Sequence, residues 1–91
     1  MADKVTISIN YSDEKLRILV EEYIAQQWKV FSFQGLCSYI LYWAKEDNLA
    51  PHDSYNMTES DIERVRVILD SIVKDGRLVK DTDHYKLTNT L

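Results

Sequence analysis

The C-terminal third of the chain holds an amphipathic helical pattern that stops at a glycine and runs directly into two short strand patterns. The stretch reads RVRVILDSIVKDGRLVKDTDHYKLT, residues 64–88. Gly76 stands where a left-handed residue commonly ends a helix. RLV and HYKLT follow as strands around the polar segment KDTD, as in a β-hairpin. The rest of a chain of 91 residues must therefore pack against this helix and hairpin.

The N-terminal segment predicts a strand followed by a helix. KVTISIN, residues 4–10, alternates with Val5, Ile7 and Ile9 on one face, which is typical of a half-buried strand. Ser12 is a good N-cap for the helix that follows. The inward positions of this helix, chosen by helical spacing, are Leu16, Leu19, Val20, Tyr23, Ile24 and Gln27.

Two further helices follow a brief strand in KVFSF. Ser32 caps the second helix, whose predicted inward residues are Leu36, Cys37, Ile40, Leu41 and Ala44. LAPHDSYNM is predicted to be a polar loop. The third helix starts at Thr58 or at Ser60, because each has an acidic residue three positions later. Its predicted core face holds Ile62, Val65, Leu69, Ile72 and Val73, with Ile68 at the margin.

These patterns predict a mostly α fold with a small antiparallel sheet, in the order strand, helix, short strand, helix, helix and β-hairpin. The short strand is expected to pair with the hairpin. The order, together with ILDSIVKDGRLVKDTDHYKLT, resembles the winged helix-turn-helix superfamily, with the likeness concentrated at residues 58–88. The resemblance implies a single winged-helix-like domain over residues 1–91, with an additional N-terminal strand at about 4–10. The link between the second and third helices is longer than the tight turn of DNA-reading members.

The resemblance also implies a non-enzymatic DNA-binding protein, most commonly a transcriptional regulator. Arg64, Arg66, Ser71 and Lys74 would then face the major groove. The backbone contacts near the wing would come from Arg77, Lys80 and Lys86.

A weaker resemblance concerns the N-terminus alone. KVTISINYSDEKLRILVEEYI is similar to the start of ribbon-helix-helix proteins, in which Lys4, Thr6 and Ser8 would enter the major groove from a dimeric ribbon. A ribbon-helix-helix protein is complete after its second helix, so this similarity leaves the third helix and the hairpin unexplained. The alternatives for this strand are an edge of the winged-helix sheet or a homodimer contact.

Charge argues against DNA as the ligand. The formal net charge is −4, whereas nucleic-acid binders draw affinity from Lys and Arg that neutralise phosphates. On the third helix, Glu63, Asp70 and Asp75 compete with the three basic residues. Wings that enter the minor groove carry Arg or Lys at the tip, but here the tip carries Asp81 and Asp83.

The competing interpretation is a protein-interaction winged helix that acts as an adaptor, an assembly subunit or an inhibitor. Its interface would use Val67, Tyr39, Tyr42 and Trp43, because large aromatic residues dominate binding hot spots. The acidic middle segment, residues 31–60, would border that interface. The same aromatic residues also suit a small core that recruits them for buried area, and both alternatives stay open on sequence alone.

The residue patterns give little support for catalysis or for cofactor binding. Cys37 falls at an inward helical position, and His52 and His84 show no metal-ligand spacing. No phosphate loop or nucleophile motif occurs. We therefore expect no enzyme activity, no cofactor and no metal. The absence of a signal-peptide pattern and of a membrane-spanning run predicts an intracellular, cytoplasmic protein with no membrane partner.

Overall fold

Three helices form the larger part of the computed structural model, which describes residues 5–27, 29–51 and 54–88. They are α1 (Asp13–Ala25), α2 (Phe33–Glu46) and α3 (Glu59–Lys74). Each begins at a predicted N-cap: Ser12 Oγ accepts the Lys15 N–H, Ser32 Oγ accepts the Gly35 N–H, and Thr58 Oγ1 accepts the Asp61 N–H. The open choice at α3 is thereby settled in favour of Thr58.

The C-terminal ends of α2 and α3 share one capping geometry. Gly76 has a φ of 83° after α3, and Asn48 has a φ of 61° after α2. In each case the next N–H reaches back to a carbonyl five residues earlier: Arg77 to Ile72 at 3.3 Å, and Leu49 to Ala44 at 2.8 Å. Glycine and asparagine are the residues that tolerate this left-handed position. The predicted helix end at Gly76 is confirmed.

A three-stranded antiparallel sheet packs beside the helices in the described part of the chain. It is built from β2 (Val30–Ser32), β4 (Leu78–Asp81) and β5 (His84–Leu87), in the order β2-β5-β4. The short strand thus pairs with the hairpin, as the order of elements predicted. The predicted four-residue tip is wrong, because Lys80 and Asp81 belong to β4. Thr82, with a φ of 54°, and Asp83 alone form the turn.

A fourth and a fifth strand form a separate pair, which corrects two predictions. The N-terminal strand is β1 (Val5–Ile7), shorter than residues 4–10, and it runs parallel to β3 (Ser54–Met57). β3 lies inside the segment predicted to be a loop. β1 is therefore not an edge of the three-stranded sheet. A homodimer through β1 would have to use the edge that faces away from β3. Lys4 and the side chains of residues 5–7 lie outside what the structure describes.

The core lies where α1, α2, α3 and the sheet meet. All five predicted inward residues of α2 are buried, and α3 buries Val65, Ile68, Leu69 and Ile72. The wheel placed Ile68 at a margin, yet it is 9% exposed. Tyr23 and Gln27 are only half-buried, and Gln27 lies beyond the end of α1. The predicted class, mostly helical with a small antiparallel sheet, is confirmed.

Candidate functional site

Arg64, the first of the predicted major-groove residues, is engaged within the protein. Its Nε and Nη2 donate to Asp13 Oδ1 at 3.0 and 2.9 Å, and its Nη1 donates to Asp61 Oδ1 at 3.0 Å. Nη2 also donates to the Tyr11 carbonyl. These bonds, above all the one to Asp13, raise the pKa of the guanidinium. Arg64 therefore joins α3 to the start of α1.

Asp61, the acidic residue three positions after Thr58, is the buried partner in this network. It is 3% exposed. Its Oδ2 accepts the Ile9 N–H at 2.9 Å and the Thr58 hydroxyl at 3.2 Å. A capping-box carboxylate ordinarily reaches back to the N–H of the cap. Here it reaches a residue 52 positions earlier in the chain, so it holds the N-terminal segment against α3.

Two more of the predicted DNA contacts bond to residues of α1. Arg77 Nη1 donates to Glu21 Oε2 at 2.9 Å, and Nη2 donates to Glu21 Oε1. Ser71 Oγ accepts from Arg17 Nη1 at 3.2 Å and donates to the Ile68 carbonyl at 3.0 Å. Arg77 therefore ties the segment after α3 to Glu21 of α1. Arg17 bonds α1 to Ser71 of α3, and the Arg17–Glu21 pair lies within α1.

Replacing Glu21 with glutamine should lower stability in a pH-dependent way. The hydrogen bond from Arg77 lowers the pKa of Glu21 below its ordinary value of 4.5. The stabilisation is therefore present above about pH 4.5 and is lost as the pH falls through the lower folded pKa. Since both side chains are substantially exposed, we expect Glu21→Gln to cost about 0.5 kcal/mol at neutral pH. That difference should shrink at about pH 2.5 in urea unfolding, and Glu22→Gln is the neighbouring control. A difference that grows in acid would contradict the assignment.

The remaining predicted DNA contacts are distributed over α3 and the wing. The Arg66 guanidinium lies 4.6 Å from the centroid of the Phe33 ring, on the side of α3 that faces α2. Lys86 Nζ is 3.6 Å from Asp81 Oδ2 on the wing. Lys74 and Lys80 are exposed, the first in the last turn of α3 and the second on the edge strand β4.

The exposed face of α3 is itself mixed in charge. It carries three carboxylates, Glu59, Glu63 and Asp70, against Arg66 and Lys74. A reading helix places donors and cations against phosphates and base edges. This face instead places most of its charged groups where they would repel phosphate.

Three aromatic residues of α2 form a partly exposed surface, here named the α2 ridge: Tyr39, Tyr42 and Trp43. Tyr42 is 54% exposed and Trp43 is 38% exposed. Their rings meet edge to face with centroids 5.5 Å apart, and Trp43 meets Tyr39 in the same way at 6.5 Å. Edge-to-face geometry is a favourable aromatic contact, so the ridge is ordered before any partner binds.

Tyr39 anchors this ridge to α1. Its hydroxyl accepts a hydrogen bond from Gln26 Nε2 at 3.2 Å. Its ring lies 5.0 Å from that of Tyr23, which meets the Phe31 ring edge to face at 5.6 Å. The ridge therefore continues inward through a chain of aromatic contacts to Phe31 of the sheet, while its outer residues stay accessible.

The border of the ridge carries two acidic residues and one basic residue, Lys45, which lies in the last turn of α2. Glu46 closes the last turn of α2 one helical turn beyond Trp43, and Asp47 is the C-cap. Asp47 Oδ2 accepts the Tyr11 hydroxyl. Burial, followed by this hydrogen bond and the negative charge of Asp47, raises the pKa of the Tyr11 hydroxyl. The predicted acidic segment thus contributes two carboxylates next to the aromatic surface, while Asp53 lies outside the described residues.

Val67, predicted to share an interface with these aromatics, lies elsewhere. It is 58% exposed and borders a shallow groove between α1 and α3 with Asp13, Arg17 and Arg64. That groove is at the N-terminal end of α1, whereas the ridge contacts α1 at Tyr23 and Gln26. The structure does not bring the four predicted interface residues together.

The residues considered for chemistry occupy ordinary structural positions. Cys37 is 9% exposed, and burial raises the pKa of its thiol to about 11. His84 is exposed on β5, and His52 lies outside the described residues. Among residues 5–27, 29–51 and 54–88, no group of three His, Cys, Asp or Glu side chains is placed to hold a metal ion.

Comparison with protein-family models, with curated proteins and with solved structures yields no match to this chain. Within the described residues, no helix has both the length and the apolar character needed to cross a membrane.

Proposed function

We propose that this chain is a non-enzymatic, winged-helix-like protein-interaction module that contacts its partner through the α2 ridge. The observation that carries the proposal is the exposed, edge-to-face Tyr42–Trp43 pair on a rigid helix. Trp and Tyr are the residues most enriched among binding hot spots. Because the pair is already ordered, little side-chain entropy is lost when a partner covers it.

Charge supports the same proposal and indicates the partner. Glu46 and Asp47 border the ridge, and the whole chain carries a net charge of −4. Complementary charge steers association and excludes partners of the same sign. The partner surface is therefore apolar at its centre and basic at its edge. An adaptor, an assembly subunit and an inhibitor would each bind a partner through such a surface.

DNA binding, the use that the winged-helix resemblance implies, is the second candidate. The strand order β2-β5-β4, in which the short strand pairs with the β4–β5 hairpin, agrees with the winged-helix resemblance and so favours DNA binding. Against it, the intramolecular bonds of Arg64, Arg77 and Ser71 occupy three of the seven predicted contacts. Breaking such bonds to reach phosphate would offset part of the binding energy.

A photo-crosslinker at the ridge tests the first proposal. p-Benzoylphenylalanine in place of Tyr42 should give one discrete protein adduct in the cells that express the chain. The same residue in place of Val79, which is 51% exposed on the wing, is the matched control and should not give that adduct. Trp43→Ala should reduce the adduct about tenfold or more, as expected for a hot-spot residue. Equal adducts from both positions would contradict the ridge as the interface.

Fluorescence anisotropy with a mixed-sequence duplex decides between the candidates. We expect no binding between about 50 and 200 mM salt, the range in which phosphate contacts weaken steeply. Salt-sensitive binding that falls in Lys74→Ala and Lys80→Ala would establish the DNA candidate instead.

A further inference from the structure

A groove lies between α2 and α3 on the side of α2 that faces away from the ridge. Its volume is about 310 Å³. Its floor is apolar and consists of Phe33, Cys37, Leu41 and Ile62. The first three come from the N-terminal half and middle of α2 and the last from α3, so two elements of the core hold the floor in place.

The rim of the groove is polar and rich in hydrogen-bond donors. It consists of Gln34, Ser38, Asn56 and Arg66. The Oδ1 of Asn56 already accepts the Met57 N–H at 2.8 Å, which leaves its NH₂ group as the free donor. None of the described lining residues is acidic, although the chain as a whole carries a net charge of −4.

The side chain of Arg66 lies at this rim against an aromatic ring. Its guanidinium lies over the Phe33 ring at 4.6 Å, and planar guanidinium groups stack on aromatic faces while their edges remain free to donate. A carboxylate suits such a donor because the two can form paired, charge-assisted hydrogen bonds. Arg66 is thus a preorganised anion contact beside an apolar floor.

We propose that this groove binds a peptide segment of a partner protein in which a carboxylate side chain is flanked by aliphatic ones. The carboxylate pairs with Arg66 and the amide of Asn56, and an aliphatic neighbour covers Cys37, Leu41 and Ile62. A phosphate backbone would leave the apolar floor unused. A small free acid would stay largely uncovered, because Gln34, Ser38 and Arg66 are open to solvent and small-molecule sites enclose most of their ligand.

This second site goes beyond the ridge proposal and does not depend on it. The groove residues Gln34, Cys37 and Leu41 lie on the side of α2 toward α3, whereas Tyr39 contacts α1. Arg66 on α3 and Trp43 on α2 are therefore positions at which the two surfaces can be changed separately.

A selection from random 12-residue peptides displayed on phage tests the proposal, with the purified chain as bait. We expect the selected peptides to carry Asp or Glu beside Leu, Ile or Val. A synthetic peptide from the selection should bind Arg66→Gln about tenfold more weakly, the loss expected for a charge-assisted bond. Lys74→Gln is the matched control on the same helix and should bind unchanged.

A second pair of variants introduces charge rather than removing it. Ser38→Glu places a carboxylate at the rim and should weaken the same peptide by a similar factor. Ser60→Glu makes the same change in the first turn of α3, away from the groove, and should have no effect. Trp43→Ala should leave peptide binding unchanged, so a failure of the ridge proposal is distinguishable from a failure of this one.

Cys37 is the single cysteine of the chain and lines the groove. It is only 9% exposed, so its reaction with N-ethylmaleimide requires the groove to open. Saturating peptide should slow its reaction with N-ethylmaleimide. The proposal is overturned if the selected peptides lack acidic residues, if they bind Arg66→Gln as tightly as the native chain, or if Cys37 reacts at the same rate. Displacement of the peptide by hexanoate or by a DNA duplex at comparable concentration would assign the groove to those ligands instead.

Discussion

Asp61→Ala should destabilise the protein by about 3 kcal/mol, although the residue lies at the start of a helix where alanine is well tolerated. The carboxylate is 3% exposed and accepts bonds from Ile9, Thr58 and Arg64. Its removal leaves the buried Ile9 N–H without an acceptor. It also leaves Arg64 without one of its two carboxylate partners. Each loss costs about 1–3 kcal/mol, and Arg64 recovers part of it because it keeps its bonds to Asp13 and Tyr11.

Urea unfolding of matched variants measures this effect. Asp70→Ala makes the same change at an exposed position of the same helix, and we expect it to stay within about 0.5 kcal/mol of the native chain. The stability loss of Asp61→Asn should fall between those of Asp61→Ala and Asp70→Ala. The asparagine side-chain carbonyl can still accept a hydrogen bond, but its NH₂ group then faces another donor. Hydrogen exchange at the Ile9 amide should speed up in Asp61→Ala. A loss below about 1 kcal/mol with unchanged exchange at Ile9 would mean that Asp61 does not hold the N-terminal segment.

Tyr85→Ala should cost about 3–5 kcal/mol, the range for removing a large aromatic side chain from a core. Tyr85 is 1% exposed and lies on β5, the central strand of the antiparallel sheet. Its ring stacks on Phe31 at 5.5 Å with an interplanar angle of 16°. Burial, with a smaller contribution from Asp70, raises the pKa of its hydroxyl. The wing strand is thus fixed to β2 by one aromatic contact as well as by its backbone bonds.

The control for this prediction is the same substitution at the ridge. Tyr42→Ala removes an identical side chain from an exposed site and should change stability by less than about 0.5 kcal/mol. Tyr85→Phe keeps the ring and should cost less than about 1 kcal/mol. Equal losses from Tyr85→Ala and Tyr42→Ala in guanidinium unfolding would show that the sheet does not depend on the Phe31–Tyr85 stack.

The expected difference in stability between Tyr85→Ala and Tyr42→Ala also bears on the test of the α2 ridge as an interface. Because Tyr42→Ala is expected to leave the fold intact, loss of the partner from a pull-down with that variant reports on the interface alone. Trp43 is less exposed than Tyr42, so the stability of Trp43→Ala should be measured by urea unfolding together with its adduct yield.

Sequence alone determined the elements whose signals are local. The caps Ser12, Ser32 and Thr58 and the helix end at Gly76 were predictable because a cap bonds to backbone groups two to five residues away. The five aliphatic and small inward residues of α2 were predictable from their helical spacing, whereas the exposure of its aromatic residues was left open. The hairpin and its pairing with the short strand followed from the order of elements.

β3 depended on the tertiary structure. Ser54–Met57 reads SYNM, which is too short and too polar to show the alternation of a strand. It is extended because β1 lies parallel to it and Met57, 1% exposed, enters the core. A strand that is defined by its partner leaves no pattern of its own.

The partners of the charged residues also depended on tertiary structure, and they decided the functional interpretation. A helical wheel placed Arg64 and Ser71 on the outer side of α3, but it carries no information about which element packs there. Asp13 lies 51 residues from Arg64, and Glu21 lies 56 residues from Arg77. Only the folded chain brings α1 alongside α3, and the ion pairs that follow convert predicted DNA contacts into internal bonds while leaving the α2 ridge exposed.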